Sequence, residues 1–381
     1  MRIVNLKIKN WRNFQDIDFG LSPRTFIVGA NASGKSNLLD VFRFLRDISS
    51  SSGGGLQKAL KDRGGFAKIR SLAARQYNNI YLEVDLIDDD EIGWKYILEI
   101  GQETYGKRRP IVKREEAYRD DEKVALVERP DKSDKEDTER LTQTHLEQVN
   151  SNEKFRDIVD FFASVVYLHL VPQLLKNAES IQGKFLENDP FGQGFLERIA
   201  TTAKRKRERR LAKIQAVLQK AVPQLEELQF ERDETNGKPH LKAKYSHWRG
   251  NGAWQREDQF SDGTLRLIGL FWVLQEEPGL LLLEEPELSL NSTIVSYLAP
   301  FIHKLQGSGQ VLVTTHSADL LSDQGIALDE VILLEPSAES TRVKPADKFD
   351  DVTALVEGGL PIGEAILPLA TPQSVESLGS V

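Results

Sequence analysis

Residues 29 to 36, GANASGKS, constrain the fold of this 381-residue chain more than any other stretch. They fit the spacing G-x-x-x-x-G-K-[ST], and their neighbours supply the context that spacing needs. Phe26-Ile27-Val28 read as a buried strand before the motif, and NLLDVFRFLR at 37 to 46 has helical spacing after it. A strand that passes through a glycine turn into a helix aims backbone amides and a helix N-terminus at one spot, which is how a polyphosphate is held. Gly29 and Gly34 admit close approach of the chain, Lys35 is placed to reach the β- and γ-phosphates, and the Ser36 hydroxyl is placed for Mg2+. A glycine turn with an incidental lysine would require neither flank.

Two periodicities divide the remainder. Ile80, Leu82, Val84 and Leu86 alternate with polar residues, and Trp94, Tyr96, Leu98 and Ile100 repeat the pattern. With 110 to 114 and 123 to 128, these are expected to form an antiparallel sheet. SSSSGGG at 49 to 55 reads as a flexible loop, RPDKSDKEDTER at 129 to 140 as a solvated loop, and 163 to 171 as a strand. From about 191 to 222 the pattern is helical, with Leu211, Ile214 and Leu218 on one face. Strands return at 225 to 233 and 240 to 246 around a turn at Asn236-Gly237. Beyond 263, helix and buried strand alternate (263–275, 280–283, 293–305, 311–314, 331–334), as in a parallel sheet covered on both faces. The expected division is a phosphate-loop lobe with an antiparallel β-subdomain at 1–170, a helical lobe at 171–258, a return to the core at 259–345, and a weakly patterned tail at 346–381.

Further segments carry chemistry. LLLLEEPE, 280 to 287, is an apolar strand ending in Glu284 and Glu285. Ligands gather at the C-terminal ends of parallel strands, so Glu284 suits a Mg2+ shell and Glu285 can orient or deprotonate an attacking water. Taken alone, an acidic strand end facing solvent explains them; a phosphate loop in the same chain tips the balance. In VLVTTHSADLL, 311 to 321, His316 ends another apolar strand and can hydrogen-bond a γ-phosphate. Gln173, just after the strand ending at Val171, is a candidate sensor of Mg2+ or the attacking water, with Gln76 as its substitute. In SDGT, 261 to 264, Ser261 suits a helix N-cap and Gly263 admits a phosphate close to the helix start; alone, an ordinary capped helix is the better account. TAKRKRERR places six basic residues between Lys204 and Arg210, either a solvated helix face or a strip along a phosphate backbone.

Composition sets the outer limits. Net charge is −8, so any nucleic-acid contact needs a local patch. The absence of cysteine excludes disulfides, thiolate zinc sites and cysteine nucleophiles. The N-terminus lacks the apolar run of a signal peptide, and no segment approaches the roughly 18 apolar residues that span a bilayer. A soluble, cytoplasmic protein without a membrane partner is expected.

Taken in order, these segments resemble the ABC-type ATPases of the SMC/RecF class, and most of all the bacterial OLD-like and RecF-like predicted AAA ATPases. KIKNWRNFQDIDFGLSPRTFIVGANASGKSNLLD matches the family's opening, FSDGTLRL its signature motif, EEPELSLN its Walker B and D-loop, and TTHS its switch histidine. The resemblance implies an α/β P-loop NTPase fold of the ABC-ATPase type, with a mostly parallel core sheet, an N-terminal antiparallel β-subdomain and a helical lobe. It implies ATP and Mg2+ as cofactors. Gly29, Asn31, Gly34, Lys35, Ser36, Asn37 and Arg12 would lie at the nucleotide, with Ser36, Glu284 and Gln173 at the metal. Lys35, Glu285 and His316 would be catalytic. Ser261 and Gly263 would meet a γ-phosphate held by another copy, which implies an ATP-dependent head-to-tail homodimer, extendable to a higher oligomer. Such ATPases act on DNA, here through Lys204–Arg210, or on an effector protein such as a nuclease or toxin, in phage defence or DNA repair. The alternative is an ATP-gated scaffold that holds or releases that partner without binding DNA.

This sequence departs from the family pattern in several places. Walker B ends in Glu284-Glu285 where Asp-Glu is usual, and the signature reads SDGT rather than serine-glycine-glycine, which argues against a transporter subunit. Fewer than 230 residues separate Lys35 from Ser261, without sustained heptads, so a long coiled coil is excluded. The short stretch after 335 makes an intrinsic nuclease of the OLD kind unexpected.

Overall fold

The structure, a computed structural model, describes residues 1–50, 54–75, 77–104, 106–176, 192, 194–246 and 253–371. The chain opens with the hairpin β1 (Arg2–Trp11) and β2 (Phe14–Gly20), then β3 (Arg24–Gly29), which feeds α1 (Lys35–Ser49). Next come α2 (Gly55–Asp62), α3 (Phe66–Ile69), β4 (Ile80–Ile87), β5 (Gly93–Gln102), β6 (Pro110–Arg119), β7 (Val127–Arg129), α4 (Lys132–Glu136) and α5 (Arg156–Ala163). They are followed by β8 (Val166–Leu168), α6 (Pro172–Lys176), α7 (Phe195–Thr201), α8 (Lys204–Ala221), β9 (Leu225–Arg232), β10 (Pro239–Tyr245), β11 (Ala253–Arg256) and α9 (Asp262–Leu274). The last part holds β12 (Leu280–Glu284), α10 (Ser292–Val295), α11 (Leu298–Leu305), β13 (Gln310–Thr315), β14 (Val331–Pro336), β15 (Thr341–Pro345), α12 (Asp350–Glu357) and α13 (Ile362–Ala370). Two compact units result: Met1–Val166 with Gly279–Leu282 and Ser308–Val381, and Tyr167–Pro278 with Leu283–Gly307.

In the first unit an antiparallel sheet runs β2-β1-β4-β5-β6-β7. Its register aligns Leu6 with Val84 and Tyr96, and Ile8 with Leu82 and Leu98. All six are fully buried, so the alternation seen in the sequence becomes cross-strand rows on one covered face. Tyr96 carries that face onto Phe155 and Phe162, with ring centroids 6.4 and 5.9 Å away. The other six-stranded sheet runs β15-β14-β3-β13-β12-β8. In it β3 lies between β13 and β14, parallel to both, and β15 closes the edge antiparallel. Every residue of β3 is buried, as expected of a strand covered on both faces. α1 buries Leu38, Leu39, Val41, Phe42, Phe44, Leu45 and Ile48, and Trp11 packs on Phe44 at 5.1 Å. The expected α/β architecture, an antiparallel subdomain beside a mostly parallel sheet, is the one observed.

Several local expectations need correction. The run 129 to 140 is not a plain solvated loop: Arg129 and Asp134 side chains are 1% and 0% exposed and pair at 2.9 Å. Arg129 also reaches Glu115 at 2.9 Å, and Tyr96 donates to the same Glu115 carboxylate at 2.9 Å. Charge-rich composition suggested solvent, but paired and hydrogen-bonded charges can be buried. The strand expected over 163–171 is only three residues long, and the helix over 293–305 is two helices. The tail holds β15's continuation into α12 and α13.

In the second unit, β11-β10-β9 form an antiparallel sheet. Gly237 takes φ +70° in the β9–β10 connection, a left-handed conformation that glycine adopts without penalty. α8 buries Leu211, Ile214 and Leu218, and ten of the thirteen residues of α9 are buried, so α9 is a core helix rather than a surface one. No helix among the described residues is long and apolar enough to cross a membrane.

Candidate functional site

In the first unit, parallel register brings the P-loop and His316 together. Val28 pairs with Thr315 across β3 and β13, so Gly29 and His316 leave the sheet side by side. The Lys35 ammonium folds back into the loop and donates to the Gly29 and Ala30 carbonyls at 3.1 and 3.3 Å. It also lies 2.5 Å from His316 Nε2, which must accept, so the ring proton of a neutral His316 resides on Nδ1. α1 starts after Gly34 at φ +103°, with no side-chain cap and no acid in its first turn. The positive end of the helix therefore lies at the glycine turn, where an anion is favoured. Asn31, Ser36 and His316 are exposed around this point.

The loop is tightly braced. Asn13 donates to the Ser33 carbonyl and to Thr341 Oγ1 at 2.9 and 2.8 Å, Thr341 donates to the same carbonyl at 2.8 Å, and Asn37 donates to Asn13 at 2.7 Å. A Cβ on Gly34 would lie 2.1 Å from Asn13, and one on Gly29 would lie 2.6 Å from Ser33 Oγ and 2.9 Å from the Leu334 carbonyl. The Ser33 hydroxyl is buried without a hydrogen-bond partner among the described residues. A glycine cradle that a Cβ would fill, a buried cation and a helix N-terminus fit a polyphosphate. Neither Asn13 nor Thr341 was singled out from sequence; Asn13 follows Arg12 in a turn without a motif, and Thr341 lies beyond every recognised segment.

Beside the loop is a cleft of about 850 Å3, lined by Arg12, Asn13, Ala32, Asn37, Arg70 and Thr341 among others. Arg12, at φ +50°, donates to Asp40 at 2.7 Å. Asp40 also receives Arg63 at 3.0 Å. Burial pushes the Asp40 carboxyl up, but Arg63, Arg12 and Arg43 together hold it below the usual carboxylate range.

The second unit holds the remaining predicted residues, except Gln76, which lies outside the described residues. Glu284 ends β12 half-buried, and Tyr167 donates its hydroxyl to the Glu284 carboxylate. His169 Nδ1 lies 3.4 Å from the Glu284 carbonyl. Glu285 follows at φ +45°, a left-handed backbone that costs a non-glycine residue about 1–3 kcal/mol and clusters at functional turns. Ser261 caps α9, its hydroxyl accepting from the Thr264 amide at 3.1 Å. A Cβ on Gly263 would sit 2.8 Å from the Ser289 carbonyl, so the glycine is needed for contact with the turn after β12. Gln173 donates to Asp262 at 2.5 Å and Lys176 does so at 2.7 Å. The structure thus brings Gln173 to the start of α9. No group of three or more His, Cys, Asp or Glu able to hold a metal ion occurs among the described residues.

The basic stretch is partly spent inside the protein. Arg207 lies over the Phe230 ring at 4.0 Å, and Arg210 is buried over Trp272 at 5.2 Å with Glu276 at 3.7 Å. Lys204, Arg205, Lys206 and Arg209 remain exposed.

Comparisons with known proteins bear on the fold and the family. The chain is 33% identical over 88 residues to the DNA replication and repair protein RecF of Synechocystis sp., which is 23% of each chain. It therefore spans about a quarter of the length of the curated relatives it matches. In fold it resembles an SMC head solved with the C-winged helix domain of ScpA, with TM-score 0.54 and 16% identity over 90% of this chain and 98% of that one. It also resembles an SMC head with an extended coiled coil bound to the C-terminal domain of ScpA, from Pyrococcus furiosus, with TM-score 0.52 and 14% identity over 93% and 99%. Residues 24–323 match the family described as "AAA domain, putative AbiEii toxin, Type IV TA system", and the chain belongs to that family.

Proposed function

We propose that this protein binds and hydrolyses ATP, closes head to tail on a second copy around the nucleotide, and opens after hydrolysis to engage DNA or an effector protein. The observation that carries the reading is the buried Lys35 ammonium, held by the loop carbonyls and His316. On binding, Lys35 exchanges these neutral acceptors for phosphate oxygens, a stronger charge-assisted bond. Released from Lys35, His316 can adopt the Nε2–H tautomer and donate to the γ-phosphoryl group. Glu285 takes a proton from the attacking water as its oxygen bonds to phosphorus and the β–γ bridging bond breaks. Mg2+, when bound, neutralises charge developing on the phosphate oxygens. Ser36 and Glu284 are the groups that would hold it, with the phosphates completing a shell that few protein ligands supply; Tyr167 fixes the Glu284 carboxylate. Arg12 and Asn37 line the cleft suited to the nucleoside. Ser261 and Gly263 of the second copy cap the γ-phosphate.

The names of the RecF relatives and of the family support DNA repair and toxin-linked defence as settings. For DNA, the exposed Lys204, Arg205, Lys206 and Arg209 are the contacts. Sedimentation of Glu285→Gln with and without ATP and duplex DNA tests the scheme. A dimer is expected only with ATP, and DNA is expected to add bound mass that salt removes. A variant that binds ATP yet stays monomeric overturns the head-to-tail cycle.

A further inference from the structure

We infer that the second unit carries a docking groove for an acidic amphipathic helix of a partner protein. The groove lies between α8, α9, α10 and α11, encloses about 370 Å3, and is walled by Val217, Ala221, Leu267, Phe271, Tyr297 and Phe301. Phe271 and Phe301 meet edge to face at 5.6 Å, which gives the groove a firm aromatic wall. Tyr297 stands 60% exposed, a large aromatic surface displayed to solvent. Helix-in-groove recognition uses such a cleft, filled by apolar side chains at i, i+3 or i+4, and i+7.

The charge around the cleft selects the partner. Lys220 is the charged residue in the lining. Lys213 lies two turns earlier on the same edge of α8, and Lys304 follows Phe301 by three residues on α11. All three are exposed. Elsewhere in this unit, Lys242 pairs with Glu231 at 3.3 Å and Lys244 with Glu226 at 3.0 Å. In a chain of net charge −8, an apolar cleft with a lysine rim is locally inverted. Its complement is a helix whose apolar stripe is bordered by Asp and Glu. DNA does not offer an apolar stripe, and the exposed basic residues near Arg205 lie about 22 Å from Lys220 along the helix at 1.5 Å per residue.

A helical-peptide display library selected on the full-length protein tests this, followed by fluorescence anisotropy with the selected peptide. Enriched sequences are expected to place Leu, Ile, Phe or Met at helical spacing with acidic flanks. Tyr297→Asp, or Lys213→Glu with Lys220→Glu, should weaken binding about tenfold or more, while a peptide with lysine flanks should bind the charge-reversed variant. These positions are exposed or half-exposed, and unchanged circular dichroism and ATP binding confirm intact variants. Peptides without acidic preference, binding indifferent to Tyr297→Asp, or displacement of the peptide by duplex DNA overturn the inference. So does an ATP-independent dimer that Tyr297→Asp dissolves, which would assign the groove to a second copy. No residue of the groove has been placed at the nucleotide, so loss of this inference leaves the ATPase proposal standing.

Discussion

Lys35 is 7% exposed, and its ammonium is fully engaged before any phosphate arrives, so its removal acts on a preorganised site. Lys35→Ala should leave the fold intact and weaken ATP binding by about a hundredfold or more, because charge-assisted bonds contribute roughly 1.5–3 kcal/mol each. Isothermal titration calorimetry reads this directly, and tight ATP binding by the variant sinks the P-loop assignment. Asp40 tests the neighbouring cleft. Its arginine partners hold its folded pKa below the usual carboxylate range, so its contribution is present above about pH 4 and fades as pH falls through the folded value. Asp40→Asn leaves Arg12 without its carboxylate and Arg63 with Asp47 alone, a loss of about 3 kcal/mol expected of a broken buried pair. Urea denaturation at pH 7 should show that loss, and the gap from wild type should narrow below pH 4. A gap that widens with acid removes Asp40 as an ionised anchor of Arg12.

At the scale of elements, α9 shows what the sequence could and could not reveal. Ser261 as N-cap was legible because capping is local, and the Thr264 amide donates to its hydroxyl at 3.1 Å. The link from Gln173 and Lys176 to Asp262 spans 89 and 86 positions, and no local pattern encodes such a contact. The same contrast runs through the fold. β4 and β5 were legible because alternation at period two records a one-sided face. The brace of Asn13 and Thr341 on the P-loop was not, since it joins residues 328 positions apart. Arg129 and Asp134 were misread because charge alone does not tell a solvated residue from a paired, buried one. Gly263 makes the element-level prediction. With Cβ only 2.8 Å from the Ser289 carbonyl, Gly263→Ala must shift the turn after β12. ATP hydrolysis should fall at least tenfold while ATP affinity stays near wild type. Equal loss of both would place Gly263 in general folding rather than in the signature.

On the scale of the whole molecule, a head-to-tail cycle makes a demand that one polypeptide cannot meet. In that cycle each composite site would take its P-loop from one copy and its signature from the other, related by a two-fold axis. Lys35→Ala destroys the first half, and Ser261→Arg should destroy the second by placing a long side chain at the start of α9 while sparing ATP binding. Each variant alone should be inactive. In an equal mixture about half the dimers are mixed, and each mixed dimer joins the intact P-loop of the Ser261→Arg copy to the intact signature of the Lys35→Ala copy. Roughly a quarter of wild-type hydrolysis should return if the two sites act independently. Steady-state phosphate release against mixing ratio measures it, with a maximum near equal amounts. If no mixture exceeds its components, signature and P-loop act within one chain and the dimer is not the catalytic unit. Recovery of activity would instead assign SDGT to the partner's phosphate, because a capped helix confined to its own subunit cannot rescue a P-loop lesion in another.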